Sequence, residues 1–261
     1  EDMSQVLPGL LDITGTLNNN GSILIDPASG SKVTNSGTFN NSGTFTIDDE
    51  GVFTNTGTYN ENRTDLCAMV TKGSAVSYIG PFASLTEWPT GSTIQLIGGK
   101  TGSLPAQNTT ISGAYPGFSI SGSSVTLDLN GRKITSEHSL VVLADAVLTI
   151  KDTSTDKLGS IICANYDTPT IINKGTFNFE SGTVEHSKTG TALYIDGDDG
   201  AYSITSIVGG TIIGGTGISD KGESGNYSKL TMTSGTVNGS NIALDASVAT
   251  GPISISGGIL Q

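Results

Sequence analysis

Positive charge is scarce in this chain, and its scarcity excludes one large class of function. The 261 residues include 12 lysines and arginines against 24 aspartates and glutamates, which gives a formal net charge of −12 at pH 7. Only two of the basic residues are arginines, Arg63 and Arg132. Proteins that bind nucleic acids present a basic stripe or patch to the phosphates. We therefore expect no nucleic-acid partner.

Long apolar runs and closely spaced cysteines are also lacking. No segment approaches the roughly 18 consecutive apolar residues that a membrane-spanning helix needs, so we expect no membrane insertion by these residues. The two cysteines, Cys67 and Cys163, are far apart and form no metal-ligand pair. Their spacing leaves two interpretations open, namely two small buried hydrophobic side chains or a single disulfide.

Helical periodicity is missing as well, and a different repeat takes its place. No sustained i, i+3, i+4 stripe of apolar residues occurs, so helices should be scarce. Residues 15–26 read GTLNNNGSILID and residues 37–48 read GTFNNSGTFTID, so this pass of the chain recurs with a period of about 22 residues. The next pass is slightly shorter, and in it Phe53 takes the place of Val33. A nearly fixed period of this size indicates stacked structural repeats.

The C-terminal half repeats the pattern at a looser period. Short alternating apolar segments are each followed by a glycine, and these glycines recur at intervals of roughly 23 to 28 residues: Gly159, Gly182, Gly210, Gly235 and Gly258. A strand of three to five residues cannot bury its apolar face alone, whereas stacked coils of three such strands bury a continuous apolar column. The sequence therefore predicts an all-β, right-handed parallel β-helix of about 22–25 residues per coil. We expect the variation in coil length to lie in loops at one corner.

The two periods predict two segments. Residues 1–66 carry the regular passes, and residues 67–261 form the parallel β-helix. We expect the two segments to be continuous, because two or three passes are too few for an independent solenoid. Residues 67–124 are the least regular part of the second segment, and two interpretations of them stay open, namely a continued coil with decorated loops or a junction between two modules.

The repeats carry a family resemblance. Residues 125–134 read VTLDLNGRKI and precede repeated Ser-Gly-Thr-Val units. This combination resembles the pectate-lyase-like β-helix repeat modules of bacterial secreted and cell-surface proteins, and the Asn-x-Gly-Thr repeats before residue 60 resemble adhesin-type solenoid passes. The resemblance implies an adhesin-like module that is secreted or displayed at the cell surface, with its signal and anchor outside these residues. It implies an extracellular glycan or another host or cell-surface ligand as partner.

The sharpest acidic cluster is DGDDG at residues 196–200. Carboxylates around glycine suit calcium, a hard cation that binds oxygen ligands, so Asp196, Asp198 and Asp199 are the candidate metal ligands and calcium is the only candidate cofactor. The competing interpretation is a solvated turn that follows a strand. The Gly-Asp-Asp element also resembles polygalacturonase-type β-helix hydrolases, but the Gly-His-Gly, Asn-x-Asp and Arg-Ile-Lys parts of their pattern are missing.

Aromatic residues are densest in the irregular segment between residues 67 and 124. Trp88, Tyr78 and Tyr115 are the candidate ligand-binding residues, because partly exposed aromatic rings offer broad apolar faces to a sugar. The competing interpretation is that these rings pack in the core or cap it.

No complete catalytic set is present. Polysaccharide lyases of this fold use an Arg or Lys base beside calcium, which makes Arg132 a candidate, but we expect Arg132 and Lys133 to be solvated beside a turn. His138 and His186 are expected to be exposed strand residues. The leading hypothesis is therefore a non-catalytic, adhesin-like or glycan-binding scaffold. The alternative is a carbohydrate-active enzyme, either a polysaccharide lyase or a glycoside hydrolase.

Overall fold

The computed structural model of the protein describes residues 4–6, 10–25, 32–47, 52–61, 68–73, 75–79, 89–97, 110–112, 118–120, 122–136, 138–165, 167–197, 202–221 and 227–261. Within these ranges the chain is all β without a helix, and its parallel stacked coils form a β-solenoid of about seven turns. The predicted all-β, parallel β-helix class is confirmed, and its right hand stays a prediction. A coil here is one passage of the chain through three strands.

The chain divides into two compact units. The first contains Glu1–Ser84 and Ser92–Ala106, and the second contains Leu85–Gly91 and Gln107–Gln261. The predicted segments, 1–66 and 67–261, stay a prediction. The strands described in the first unit are β1 (Ser4–Val6), β2 (Leu10–Ile13), β3 (Thr16–Asn19), β4 (Ser22–Ile25), β5 (Lys32–Asn35), β6 (Thr38–Asn41), β7 (Thr44–Ile47), β8 (Val52–Asn55), β9 (Thr58–Glu61), β10 (Ala68–Lys72), β11 (Ala75–Ile79) and β12 (Thr93–Leu96).

The first nine strands form three parallel sheets, in the orders β1-β4-β7, β2-β5-β8 and β3-β6-β9. Leu10 pairs with Lys32 and Lys32 with Val52, so the second of these coils is slightly shorter than the first, as the repeats predict. Strand β10 is instead antiparallel to both β11 and β12. In this irregular segment the pairing of β10 with β11 and β12 therefore departs from the parallel pairing of the coils. A tight turn at Gly73, with φ +60°, joins β10 to β11, and so short a connection permits only antiparallel pairing.

The core of the first unit is a column of alternate side chains. Val33, Phe39 and Phe45 lie on the three different sides of one coil, and each is at most 2% exposed. The rings of Phe39 and Phe45 meet edge to face, with centroids 5.0 Å apart and planes at 84°. Ile13 of the preceding coil packs against this group. Stacking thus buries apolar faces that no single coil could cover.

Buried asparagines bond one coil to the next at the corners. Asn19 ends β3, and its Oδ1 accepts a hydrogen bond from the Gly21 main-chain N at 3.1 Å. Its Nδ2 donates to Asn41 Oδ1 at 2.7 Å and to the Thr44 main-chain O at 3.0 Å, both in the next coil. An amide side chain carries both donors and an acceptor, so it satisfies main-chain groups that the strand ladders leave unpaired at a corner.

A glycine lies two residues after each corner asparagine, because successive corners approach closely. Gly37 follows Asn35 in this way, and a Cβ on Gly37 would lie 2.1 Å from the Gly15 main-chain O. A Cβ on Gly57 would lie 2.2 Å from the Gly37 O. No side chain fits at such distances. The Asn-x-Gly repeat of the sequence is therefore the signature of a corner.

The second unit continues the same construction with seventeen strands among its described residues. They are β13 (Thr110–Ser112), β14 (Phe118–Ile120), β15 (Ser124–Asp128), β16 (Lys133–Ser136), β17 (Leu140–Val142), β18 (Val147–Lys151), β19 (Ser160–Cys163), β20 (Ile171–Asn173), β21 (Thr176–Phe179), β22 (Thr183–His186), β23 (Thr191–Ile195), β24 (Tyr202–Ile207), β25 (Thr211–Asp220), β26 (Tyr227–Met232), β27 (Thr236–Asp245), β28 (Ile253–Ile255) and β29 (Ile259–Leu260).

These strands line three sides of the coil. The first side has the order β15-β18-β21-β24-β26-β28. The second side contains β13, β16, β19, β22 and β29 with the first halves of β25 and β27. The third side contains β14, β17, β20 and β23 with the second halves of β25 and β27. The register between β25 and β27 shifts between Gly214 and Thr216, where β25 passes from the second side to the third.

Coil length varies at all three corners rather than at one. Leu140 pairs with Ile171, and Ile171 pairs in turn with Leu193, so the first of these two coils is clearly the longer. The extra residues lie at 152–159 between the first and second sides and at 164–170 between the second and third. A third connection, 246–252, joins β27 to β28. The expectation of one variable corner is wrong, because a corner residue lies outside the ladders and each of the corners can accept an insertion.

Asn173 provides a test of the corner bonds. It ends β20 and is fully buried; its Oδ1 accepts from Gly175 N at 3.1 Å, and its Nδ2 donates to Ile204 O at 3.0 Å and Thr205 Oγ1 at 2.9 Å. Asn173→Ala should lower the free energy of unfolding by about 2–4 kcal/mol, because three polar groups lose their partner and two of them belong to buried residues, Gly175 and Thr205. Denaturant unfolding measures the loss.

Asn178→Ala is the matched control. Asn178 lies on β21, and its side chain is only partly buried, with a single 3.3 Å bond to Thr149 Oγ1. Its removal should cost less than about 1 kcal/mol. Equal losses in the two variants would contradict the special role of the buried corner amide.

Candidate functional site

The predicted site residues fall largely outside the described ranges. Trp88, Tyr115, Asp198 and Asp199 lie outside the described residues, and so does the side chain of Tyr78, whose backbone belongs to β11. The aromatic ligand-binding group and the complete calcium cluster therefore stay predictions. Asp196 is the one member of either group whose surroundings the structure describes.

Asp196 follows β23 at a corner, where an ammonium group already pairs with it. Its Oδ2 lies 3.3 Å from Lys174 Nζ, and both side chains are partly exposed. Its main-chain N donates to the Asn173 O at 2.9 Å. Among the described residues, no three His, Cys, Asp or Glu side chains come together as a metal site. The contacts seen at Asp196 are those of a solvent-facing ion pair between adjacent coils.

Arg132 is buried, so the expectation of a solvated side chain is wrong. It is 2% exposed, and burial lowers the pKa of its guanidinium. The reason is the stacking of coils: Arg132 N donates to the Leu129 O at 2.8 Å, and Ser160 N, from the next coil, donates to the Arg132 O at 2.9 Å. The following coil covers this corner, which a turn motif read in isolation does not reveal.

Two buried aspartates hold the same corner. Asp128 is 2% exposed, and its Oδ1 accepts main-chain hydrogen bonds from Asn130 N and Thr153 N, both at 3.0 Å. Its Oδ2 accepts the Thr153 Oγ1 hydrogen at 2.7 Å. Asn130 has φ +44° and Gly131 has φ +72°, so the chain turns through two left-handed residues. The carboxylate fixes this turn to the coil that follows.

Asp152 bonds main-chain groups of a corner in the same way one coil later. It is 1% exposed; its Oδ1 accepts from Gly131 N and Ser154 N, each at 2.9 Å, and its Oδ2 accepts from Gly159 N at 2.6 Å. Lys157 Nζ contacts the Asp152 main-chain O. Three N–H donors compensate for the loss of water around the charge. The carboxylate is thereby committed to main-chain groups and not to a ligand.

His186 is buried, so the expectation of an exposed strand residue is wrong for it. It is 2% exposed, and its Nε2 lies 2.8 Å from the Asn165 O and 3.2 Å from the Thr168 O. Its Nδ1 accepts from Lys188 N and Gly190 N, both at 3.2 Å. Two carbonyls facing Nε2 and two N–H groups facing Nδ1 assign the ring hydrogen to Nε2. The imidazole ties together the connection between β19 and β20.

The other histidine and one cysteine behave as predicted. His138 is exposed. Cys163 is a free, fully buried thiol, as the interpretation of a small hydrophobic side chain requires. Its Sγ lies 3.6 Å from both the Thr168 main-chain O and the Thr168 Oγ1. Cys67 lies outside the described residues.

Two later aromatic residues that the sequence offers for a ligand platform, Tyr202 and Tyr227, form an exposed pair that the sequence reasoning did not foresee. Tyr202 and Tyr227 are register partners on β24 and β26, 60% and 48% exposed, with ring centroids 5.1 Å apart and planes at 25°. The two tyrosines are separated by the same number of residues as the repeat glycines Gly210 and Gly235. This shared spacing is the sequence signal that could have paired them. Each ring already covers one face of the other, which leaves less ring surface for a sugar.

A third buried aspartate, Asp220, differs from the other two. It ends β25 with no exposed surface, and its Oδ2 accepts the Ser228 Oγ hydrogen at 2.9 Å. Its Oδ1 has no hydrogen-bond partner. Burial raises the pKa of this carboxyl, and the Ser228 bond opposes that effect. The sequence signal is its tripeptide, Asp-Lys-Gly at 220–222, which parallels Asn-Lys-Gly at 173–175.

The cavity near His138 is too small for a sugar. It has a volume of about 10 Å³ and lies between the second and third sides, where Ile134, Ile161, Leu140 and Thr170 are among its lining residues. Such a space holds about one water molecule. It offers no binding cleft.

Comparison of the chain with protein families, with curated proteins and with solved structures finds no match. The described residues contain no helix long and apolar enough to cross a membrane.

Asp152→Asn tests the role of the buried carboxylate. The amide keeps the shape but turns one N–H₂ group toward main-chain N–H donors, so the free energy of unfolding should fall by about 3–5 kcal/mol. Asp145→Asn, at an exposed position in the turn between β17 and β18, should change it by less than about 0.5 kcal/mol. Chemical denaturation of both variants measures the difference, and a tolerated Asp152→Asn would refute the assignment.

Proposed function

We propose that the protein is a non-catalytic scaffold module of a secreted or cell-surface protein, adhesin-like in function, with glycans as the ligand class. One observation carries the proposal. The buried Arg132, Asp128, Asp152 and His186 lie at corners, and the two aspartates and the histidine each bond to main-chain groups there.

Catalysis places different demands on such groups. A general acid, base or nucleophile must reach the substrate and exchange a proton with it. Asp128 and Asp152 each accept three hydrogen bonds and have almost no exposed surface. If either carboxylate turned toward a substrate, the main-chain N–H groups that donate to it at its corner would lose their acceptor. These side chains support a scaffold rather than a reaction.

The glycan proposal draws on a repeating polar surface in the first unit. Strands β3, β6 and β9 carry Thr-x-Asn in register, with Thr38 between Thr16 and Thr58, and none of these threonines is fully buried. On the same face, Asn40 Nδ2 donates to Asn18 Oδ1 at 2.7 Å. Hydroxyl and amide groups repeated at the strand spacing of about 4.8 Å suit the repeating hydroxyls of a polysaccharide.

The absence of catalysis is tested on purified protein with plant, bacterial and animal polysaccharides, with calcium and with a chelator. We expect no release of reducing ends and no unsaturated products in either condition. Depolymerisation of any of these substrates would refute the scaffold proposal and establish the alternative, a lyase or a hydrolase.

Ligand binding is tested with the double variant Thr38→Ala/Asn40→Ala on a glycan array. Loss of the hydroxyl and amide should weaken binding by at least about tenfold, since each hydrogen bond to a ligand contributes on the order of 1 kcal/mol. The control, Thr149→Ala/Asn178→Ala, removes the same residue types from paired strands of the second unit and should leave binding unchanged. Equal binding by the first variant and the parent protein would exclude this face as the binding surface.

A further inference from the structure

Asp220 ends β25 at the corner between the third and first sides of the second unit. Its carboxyl group has no exposed surface, and Ser228 beside it is equally buried. Oδ2 accepts one hydrogen bond, from Ser228 Oγ at 2.9 Å, and Oδ1 accepts none. A buried carboxylate in this state has lost its water without adequate replacement.

Two other buried aspartates of the same unit show how many hydrogen bonds this fold can supply to a buried carboxyl group. Asp128 and Asp152 are 2% and 1% exposed, and each accepts three hydrogen bonds. Asp220 is more deeply buried and accepts one. All three side chains lie at corners of stacked coils, and Asp220 has the fewest hydrogen bonds of the three. Asp220 is therefore the one whose surroundings favour the uncharged acid.

The charged groups on the elements around Asp220 do not replace the missing donors. Its register partner on β23 is the apolar Ile195, and the next residue, Asp196, is paired with Lys174 at 3.3 Å. A carboxylate at Asp196 would in any case disfavour a second negative charge nearby.

Among the described residues, the remaining charges belong to Lys221, to Lys229 on β26 and to Asp245 on β27. Both lysines are exposed to solvent. Asp245 pairs in register with Ser219, and hydrogen bonds from Ser247, together with Lys221, lower the pKa of its carboxyl. Burial is the first cause of the raised pKa of Asp220, and no charged neighbour among the described residues contributes to it.

We propose that Asp220 is a proton-binding site of the folded protein, and that its protonation state sets the stability of the C-terminal coils formed by β25 to β29. The protonated carboxyl removes the buried charge and leaves the Ser228 bond in place. Ionisation puts an inadequately solvated charge beneath the last coils. The C-terminal coils are thus more stable when Asp220 is protonated.

The sign of the effect follows from proton linkage. Burial raises the pKa of Asp220 in the folded protein, so its protonation contributes stability that is fully present below the ordinary aspartate pKa of about 3.9. As pH rises from there to the raised pKa, the unfolded chain has released the proton and the folded chain still holds it. The free energy of unfolding therefore falls across this window and is constant, for this group, above it.

Asp220→Asn is the first test, because an amide does not titrate. The unfolding equilibrium constant of the parent protein should rise relative to that of the variant by up to about tenfold per pH unit within the window. Asp145→Asn, an exposed aspartate, should follow the parent at every pH. A ratio between parent and Asp220→Asn that does not change with pH would overturn the proposal.

The second test does not require the variant to fold as the parent does. The ¹³C chemical shift of the Asp220 carboxyl carbon, followed by pH titration of the intact parent protein, reports its protonation directly. We expect a midpoint above the ordinary aspartate value. Ser228→Ala should move this midpoint further up, because the serine hydroxyl favours the charged form. A midpoint at or below the ordinary value would overturn the proposal.

A bound cation is the competing explanation for the unpartnered Oδ1. Repeating the titration with calcium chloride and with a chelator separates the two. The proposal expects the same midpoint in both conditions, and a midpoint that calcium lowers to or below the ordinary value would assign Oδ1 to a metal and overturn it.

Discussion

The hydrogen bonding of each coil to the next is the constraint on which the rest of this protein depends. Strand residues satisfy it through the parallel ladders, but a corner residue has no ladder and must find another partner. Asn19 and Asn173 supply that partner with side-chain amides, and Asp152 supplies it with a carboxylate. Polar side chains at the corners therefore belong to the framework as fully as the apolar column does.

This requirement shapes the function proposed for the protein. In many enzymes, buried aspartates, arginines and histidines mark a reaction site, because an active site holds ionisable groups away from water. Here Asp152 and His186 are buried for another reason, since each is saturated by main-chain groups of the corner that it closes. Asp220 departs from that rule, with a single donor for two buried oxygens. At a corner where a buried carboxyl group lacks hydrogen-bond donors, a change in its protonation changes the stability of the fold.

Sequence reasoning succeeded where a property repeats along the chain. The period of residues 15–48, the alternation of inward residues such as Val33 and Phe39, and the glycine corners are all present as predicted. It failed for Arg132 and His186, because the residues next to each of them in the chain carry no information about the coil that covers it. It also missed the antiparallel pairing of β10, which a short turn decides locally.

The sequence by itself determined the class of fold, since strand alternation and coil period are written in residues close together in the chain. Only the tertiary structure decided which polar side chains lose their water. Burial at Arg132, His186 or Asp220 depends on residues about 20 to 30 positions away that stacking brings into contact, as Ser160 is brought over Arg132. The same stacking pairs Asp196 with Lys174 across adjacent coils. A local motif names the residue at a corner, and the neighbouring coil sets its environment.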